Sequence, residues 1–146
     1  DKDGVDGAYM ICEMFSYYAT KGISLLDKLD ELYKAYGYCL NTLHSYEFDG
    51  SAGFAKMQSI MQAFRGDIKE FGGKKVIKLL DYAPSLDGLP KSDVLKFLLE
   101  DNCSIVARPS GTEPKLKTYI SVSAENKEAA EKVEAEIRKS AEEYLK

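Results

Sequence analysis

From Leu116 to Val122 apolar and polar side chains alternate without a break. Leu116, Thr118, Ile120 and Val122 fall on one parity, Lys117, Tyr119 and Ser121 on the other. A period of two marks a strand with one face buried and one face open. The even set should face a core, and Lys115 and Lys117 should share the opposite face. A second strand-like run, Cys103–Ala107, lies just upstream. Between the two runs stands Arg108-Pro109-Ser110-Gly111-Thr112-Glu113-Pro114-Lys115, a short polar loop held at both ends by a sheet. Such a loop is a rigid place to present functional groups.

The other segments limit how this sheet can be completed. Val5–Thr20 carries apolar residues at helical spacing and stops at Lys21-Gly22. Ser24 with Asp27 reads as a capping box opening a second helix, with Leu25, Leu29, Leu32 and Tyr33 on one face, ended by Gly37. Tyr38–Phe48 has strand composition. Asp49-Gly50-Ser51 reads as a turn with Ser51 as N-cap, and Ala52–Arg65 as an amphipathic helix with Phe54, Met57, Ile60, Met61 and Phe64 on one face. Lys74–Tyr82 is a strand, followed by a loop with two prolines. Val94–Leu99 and Cys103–Ala107 flank Glu100-Asp101-Asn102, which reads as a hairpin because Asp and Asn tolerate left-handed backbone. Ser123–Leu145 is a final helix, with Ala130, Val133, Ile137 and Tyr144 buried and its charged residues on a solvated face. The expected fold is α+β: a mainly antiparallel four-stranded sheet, extendable by hairpins, with two helices packed on one face and a helical segment in front. The expected boundary separates residues 1–37 from residues 38–146, with the loop at one edge of the sheet.

The loop carries the groups that an oxyanion needs. Arg108 offers a planar, bidentate charged fork. Ser110 and Thr112 offer hydroxyl donors. Gly111 allows close backbone approach or a positive φ, so that N–H groups can converge. Pro109 and Pro114 stiffen the loop. Ser, Gly, Thr and Pro are also ordinary turn residues, and an arginine at a strand end usually faces solvent. Charge favours the anion reading. Arg108, Lys115 and Lys117 stand against Glu113 alone, in a chain whose net charge is −4. A basic spot on an acidic protein suits a small anionic ligand rather than a polyanion.

Bulk properties exclude several classes. A pI near 5.1 argues against nucleic-acid binding. No apolar run approaches membrane-spanning length. Cys12, Cys39 and Cys103 form no CxxC pair and suit a reducing cytoplasm. The chain opens on Asp1-Lys2-Asp3 without an initiating Met, so it reads as a piece of a longer protein. Asp1–Gly7 resembles a calcium loop only faintly: its glycine is out of register, and Cys12 stands where the terminal glutamate belongs. Gly72-Gly73-Lys74-Lys75 lacks the spacing of a P-loop and reads as a solvated turn. His44, the only histidine, has no metal-ligand partner at a useful spacing, which favours a structural role.

Arg108–Lys115 resembles the signature near the C-terminus of the α-D-phosphohexomutases. Asp1-Lys2-Asp3-Gly4-Val5 resembles the end of that family's third domain. Leu25–Tyr33 resembles the helix leading into the fourth. The resemblance, closest to a bacterial phosphoglucomutase/phosphomannomutase with phosphoglucosamine mutase second, implies an enzyme that interconverts hexose 1-phosphate and hexose 6-phosphate. Its phosphoserine and its Mg²⁺ ligands lie in the missing half, so this segment would bind no metal and supply no catalytic residue. The segment would instead hold the substrate's non-transferring phosphate and help close the active site. Carried over position by position, Arg108, Pro109, Ser110, Gly111 and Thr112 would contact that phosphate. Lys117 would reach it from the following strand, Lys115 would add field, and Glu113 would orient the loop or a lysine. The implied partners are a hexose phosphate and the remaining domains of the parent enzyme, in the cytoplasm. The loop that selects the sugar would lie upstream of Asp1. A free-standing anion- or protein-binding module is the alternative from a different class.

Overall fold

The computed structural model describes residues 3–146. The chain divides into two compact units, with the break between Gly37 and Tyr38. The first unit holds α1 (Gly4–Ala19) and α2 (Leu25–Tyr36), and neither buries a residue. Asp3 caps α1, its carboxylate accepting from the Val5 and Asp6 amides at 2.9 Å. The faint calcium pattern begins at Asp1 and Lys2, outside the described residues. Gly22 follows α1 at φ +70°. Ser24 and Asp27 form the expected reciprocal capping box of α2.

The second unit runs β1 (Tyr38–Glu47), α3 (Gly50–Phe64), β2 (Glu70–Phe71), β3 (Lys74–Asp81), β4 (Leu95–Leu99), β5 (Ser104–Pro109), β6 (Lys115–Ala124) and α4 (Lys127–Glu142), with a closing 3₁₀ turn, Glu143–Leu145. The sheet has six strands in the order β1-β6-β5-β4-β3-β2, each neighbouring pair antiparallel. The class is the expected α+β, but the strand count corrects the expected four. The two-residue β2 is too short for a periodic signal. It exists because Gly72 and Gly73, at φ +55° and +76°, make a tight hairpin turn that returns it onto β3. Asp101 and Asn102 turn the β4–β5 hairpin in the same way, at φ +54° and +55°. The loop expected at a sheet edge lies instead at the end of the central strands β5 and β6, because β1 pairs outside β6 along its whole length.

Register places the buried residues on one face. Leu95 and Phe97 stand opposite Ala107 and Ile105, which stand opposite Thr118 and Ile120. Met57, Ile60, Met61 and Phe64 of α3 and Ala130, Ile137 and Ala141 of α4 complete one core with this face. Phe64, Phe71, Phe97 and Tyr144 form an aromatic cluster within it, with ring centroids 5.0–6.3 Å apart. The Gly72 turn packs on α4 so closely that a Cβ there would collide with the backbone of Glu136 and Ile137. The opposite face of the sheet, bearing Lys96, Arg108, Lys117 and Tyr119, has no helix of this unit on it.

Two helix ends differ from expectation. α3 starts at Gly50, so Ser51 lies within it and Asp49 is the N-cap residue; the Ser51 side chain is outside the described residues. α4 starts at Lys127, not Ser123, because pairing with Tyr38 extends β6 to Ala124. The Asn126 side chain then caps the helix through the Ala129 amide. Glu134, expected on the solvated face, is buried. It accepts from Thr42 Oγ1 at 2.8 Å and lies 2.7 Å from His44 Nε2, which gives the histidine its structural partner.

Tyr46, on the core face of β1, has its phenol pushed up to about 12 by burial, the Glu142 carboxylate adding to the effect. Folding therefore favours the protonated phenol. This contribution to stability is complete below the ordinary phenol pKa of 10.0 and is lost as pH rises through about 12. Urea midpoints measured from about pH 9 to 12 should fall with pH, and Tyr46→Phe should flatten that fall. Identical slopes in the two proteins would remove Tyr46 as a source.

Candidate anion-binding site

The loop is closed by its own backbone. Ser110 N–H donates to the Lys115 carbonyl at 2.7 Å, and Lys115 N–H donates to the Glu113 carbonyl at 2.7 Å. Phe48 N–H donates to the Pro114 carbonyl at 2.9 Å, which fastens the loop to the end of β1. Ser110 Oγ accepts long hydrogen bonds from the Thr112 and Glu113 amides, at 3.4 and 3.3 Å. Its own proton remains available to donate. The Gly111 N–H has no acceptor among the described residues.

Arg108 and Lys117 stand directly opposite each other across β5 and β6, on the open face of the sheet. Neither makes an ion pair or a side-chain hydrogen bond among the described residues. Together with Pro109, Ser110, Gly111, Thr112 and Glu113 they line a cavity of about 290 Å³. Glu113 lies in the same wall but makes no ion pair with either of them, so the opposed like charges repel each other. An anion seated in that cavity would neutralise the repulsion.

Lys115 is placed differently. It lies opposite Glu47 in register, with its ammonium 2.9 Å from Glu47 and 3.6 Å from Glu113. The Glu47 hydrogen bond, with the Glu113 charge behind it, raises the lysine's pKa, and the lysine lowers that of Glu47. Lys115 is absent from the wall of the Arg108 cavity and lines a neighbouring one of about 370 Å³ with Glu47, Asp49 and Glu113. Three carboxylates make that neighbour unsuited to an anion. Among the seven residues named from the sequence for phosphate, the fold thus gathers six around one cavity and turns Lys115 aside. Glu113 lies within 3.6 Å of the Lys115 ammonium.

Gly111 needs no left-handed backbone: its φ lies outside that region, and a Cβ there would meet nothing within 4 Å. What the glycine leaves is room beside the cavity. Gly111→Ala should therefore leave the thermal midpoint nearly unchanged while weakening phosphate binding several-fold, the methyl taking up space that a ligand needs. A thermal scan with a phosphate titration checks both halves.

On the other side of the loop lies a cleft of about 520 Å³ walled by Phe54, Met57 and Gln58 of α3, Ser92 and Asp93 before β4, and Arg108–Gly111. Arg65, capping the end of α3, fixes this wall. Its guanidinium donates to Asp81 at 2.9 Å and to Asp93 at 2.6 Å. The hydrogen bond to Arg65 holds the Asp81 carboxyl below its usual range. Beyond Arg108–Gly111, the residues of this wall were not singled out from the sequence as a site, since they come from two further segments and neither has a motif.

Among the described residues, no group of three or more His, Cys, Asp or Glu side chains is arranged to hold a metal ion. No helix among them is long and apolar enough to cross a membrane.

The second unit is a one-sided α+β layer pair with a loop at the ends of its central strands where Arg108 and Lys117 make no ion pair among the described residues. Residues 48–140, which include the loop, match the family described as phosphoglucomutase/phosphomannomutase, C-terminal domain. The chain belongs to that family. It is 37% identical over 150 residues to a phosphoglucomutase of Staphylococcus aureus (strain MSSA476), covering 94% of this chain and 27% of that protein. It is 32% identical over 138 residues to a phosphoglucomutase of Staphylococcus saprophyticus, covering 86% of this chain and 25% of that protein. The chain thus spans about a quarter of the length of these relatives. In fold it is similar to the open form of the exocytosis-sensitive phosphoprotein pp63/parafusin (phosphoglucomutase) from Paramecium, with a TM-score of 0.63 at 19% identity over 99% of this chain and 27% of that one.

Proposed function

We propose that this chain is the substrate-phosphate clamp of a cytoplasmic phosphohexomutase, interconverting hexose 1-phosphate and hexose 6-phosphate, with a phosphoglucomutase/phosphomannomutase as the parent. One observation carries the reading. Arg108 and Lys117 face each other without an acidic partner at a cavity that Ser110 and Thr112 also line, while the nearby Lys115 is already neutralised. The arrangement gives charge and hydroxyl donors in one place and nothing that discriminates the carbon bearing the phosphate. That suits a substrate that must turn over between two half-reactions and present either phosphate to the same clamp. Carried on a terminal domain, the clamp can also close over the substrate and keep water from a phosphoenzyme.

The phosphoserine and the Mg²⁺ belong to the rest of the parent protein. Magnesium would supply charge neutralisation at the transferring phosphoryl group; the residues described here hold the other end of the substrate. This chain alone should therefore show no turnover in a coupled assay with glucose 1-phosphate, glucose 1,6-bisphosphate and Mg²⁺. Turnover by the pure chain would overturn the assignment of roles. Amide-shift titration with inorganic phosphate and with glucose 1-phosphate tests the clamp itself. Shifts should centre on Arg108–Thr112 and Lys117, and shifts centred elsewhere would refute it.

A further inference from the structure

The wall of the anion cavity contains one acid. Glu113 stands there with Arg108, Ser110, Thr112 and Lys117, and it also lines the neighbouring cavity, which Glu47 and Lys115 share. Its backbone holds it in place. The Glu113 N–H donates to Ser110 Oγ at 3.3 Å, and the Glu113 carbonyl accepts from the Lys115 N–H at 2.7 Å. The next residue, Pro114, is tied to the end of β1 by the Phe48 N–H at 2.9 Å. A full negative charge fixed in that wall would repel an anion. Neither Arg108 nor Lys117 pairs with it among the described residues. The cation that does reach it is Lys115, whose ammonium comes within 3.6 Å of Glu113 Oε2 without entering the anion cavity.

Lys115 is held in turn by Glu47, which stands opposite it in register with the ammonium at 2.9 Å. The Glu47 hydrogen bond, followed by the charge of Glu113, raises the lysine's pKa. Lys115 therefore remains an ammonium while a phosphate ester takes its second charge at about pH 6. Two acids and one lysine leave one negative charge over. The Glu47 side chain is 73% exposed and is absent from the wall of the anion cavity, so the surplus can rest in solvent.

We propose that Lys115 is a positioning residue of the clamp that acts through Glu113. From outside the cavity it neutralises the one acid of the wall, and so lets that wall accept a phosphate that Lys115 itself does not touch. The proposal rests on the clamp reading and gives the lysine a role distinct from contact with the anion.

Phosphate titrations read by amide shifts separate the roles. They compare wild type, Lys115→Met, Glu113→Gln and the double variant. Lys115→Met should weaken inorganic phosphate about two- to fivefold, the worth of one exposed charge interaction. Lys115→Arg keeps the charge and should bind like wild type. The ratio between wild type and Lys115→Met should shrink toward one as salt rises, because exposed charges are screened; a loss caused by loop distortion would keep its size. In the Glu113→Gln background Lys115→Met should cost nothing measurable, since the acid that it screens is gone. A cost that persists there at full size would mean that Lys115 acts on the anion directly, and would refute the proposal while the clamp stands. Equal affinities of wild type and Lys115→Met would refute it in the same way. Glu113→Gln alone gives a reading even if Lys115→Met unfolds. It should tighten phosphate less than about twofold, and a gain of about tenfold would show the acid to be unscreened in wild type. If phosphate moves no amide of the loop in any of these proteins, the clamp itself fails, and the role of Lys115 with it.

Discussion

Arg108→Ala should lose about tenfold or more in affinity for inorganic phosphate and for glucose 1-phosphate, with the fold intact. The side chain is exposed and makes no hydrogen bond or ion pair among the described residues, so the folded state loses nothing by its removal. A charged hydrogen bond contributes about 1.5–3 kcal/mol, and about 1.4 kcal/mol is a decade of affinity. Wild-type affinity should itself be only about millimolar, since a single loop encloses one side of the anion. Arg108→Lys should recover part of the loss, because an ammonium keeps the charge without the planar fork. Thr112→Val should cost less than Arg108→Ala, since it removes one neutral hydroxyl. Amide-shift titrations rank the four proteins. An Arg108→Ala protein that titrates like wild type would remove the clamp.

Phe97→Ala should lower the stability of the second unit by about 3–5 kcal/mol, a large share of the roughly 5–15 kcal/mol that holds a domain folded. Phe97 is 1% exposed. Its ring contacts Phe71 at 5.0 Å and Phe64 at 6.2 Å between centroids, so β4, the β2 hairpin and α3 all meet on it. None of these neighbours can close the void without moving another. Urea midpoints give the magnitude; a loss under about 1 kcal/mol would mean that the cluster repacks freely. Hydrogen exchange adds a second reading. We propose that Tyr38–Lys146 is its own cooperative unit, so exchange should speed up throughout β1–β6, α3 and α4 and stay the same in α1 and α2. Faster exchange in α1 and α2 would refute that independence.

The sequence by itself determined the local pieces. The alternation of Leu116–Val122 put Leu116, Thr118, Ile120 and Val122 on the buried face, where each is at most 1% exposed. The Ser24–Asp27 box, the Asp101-Asn102 turn and the loop Arg108–Lys115 were legible because each is made by neighbours in the chain: a cap, a hairpin and a loop need only local spacing. The family was legible for the same reason, since its signature is eight consecutive residues.

Tertiary structure alone decided how those pieces were shared out. Pairing of β1 outside β6 moved the loop from an edge to the end of the central strands. That pairing set Glu47 opposite Lys115, while the β5–β6 pairing set Lys117 opposite Arg108. Two lysines of one loop region, two positions apart and on one face, thereby came to differ: one is neutralised by an acid about seventy positions away, the other is left with an arginine. Glu134 was burial that no helical pattern could announce, because its partners Thr42 and His44 lie on a strand some ninety residues earlier. The cleft beside the loop is the extreme case, assembled from the loop and two distant segments that carry no motif. Charge pairing and cavity walls are properties of approach between distant segments. Composition and periodicity carry no distances between such segments.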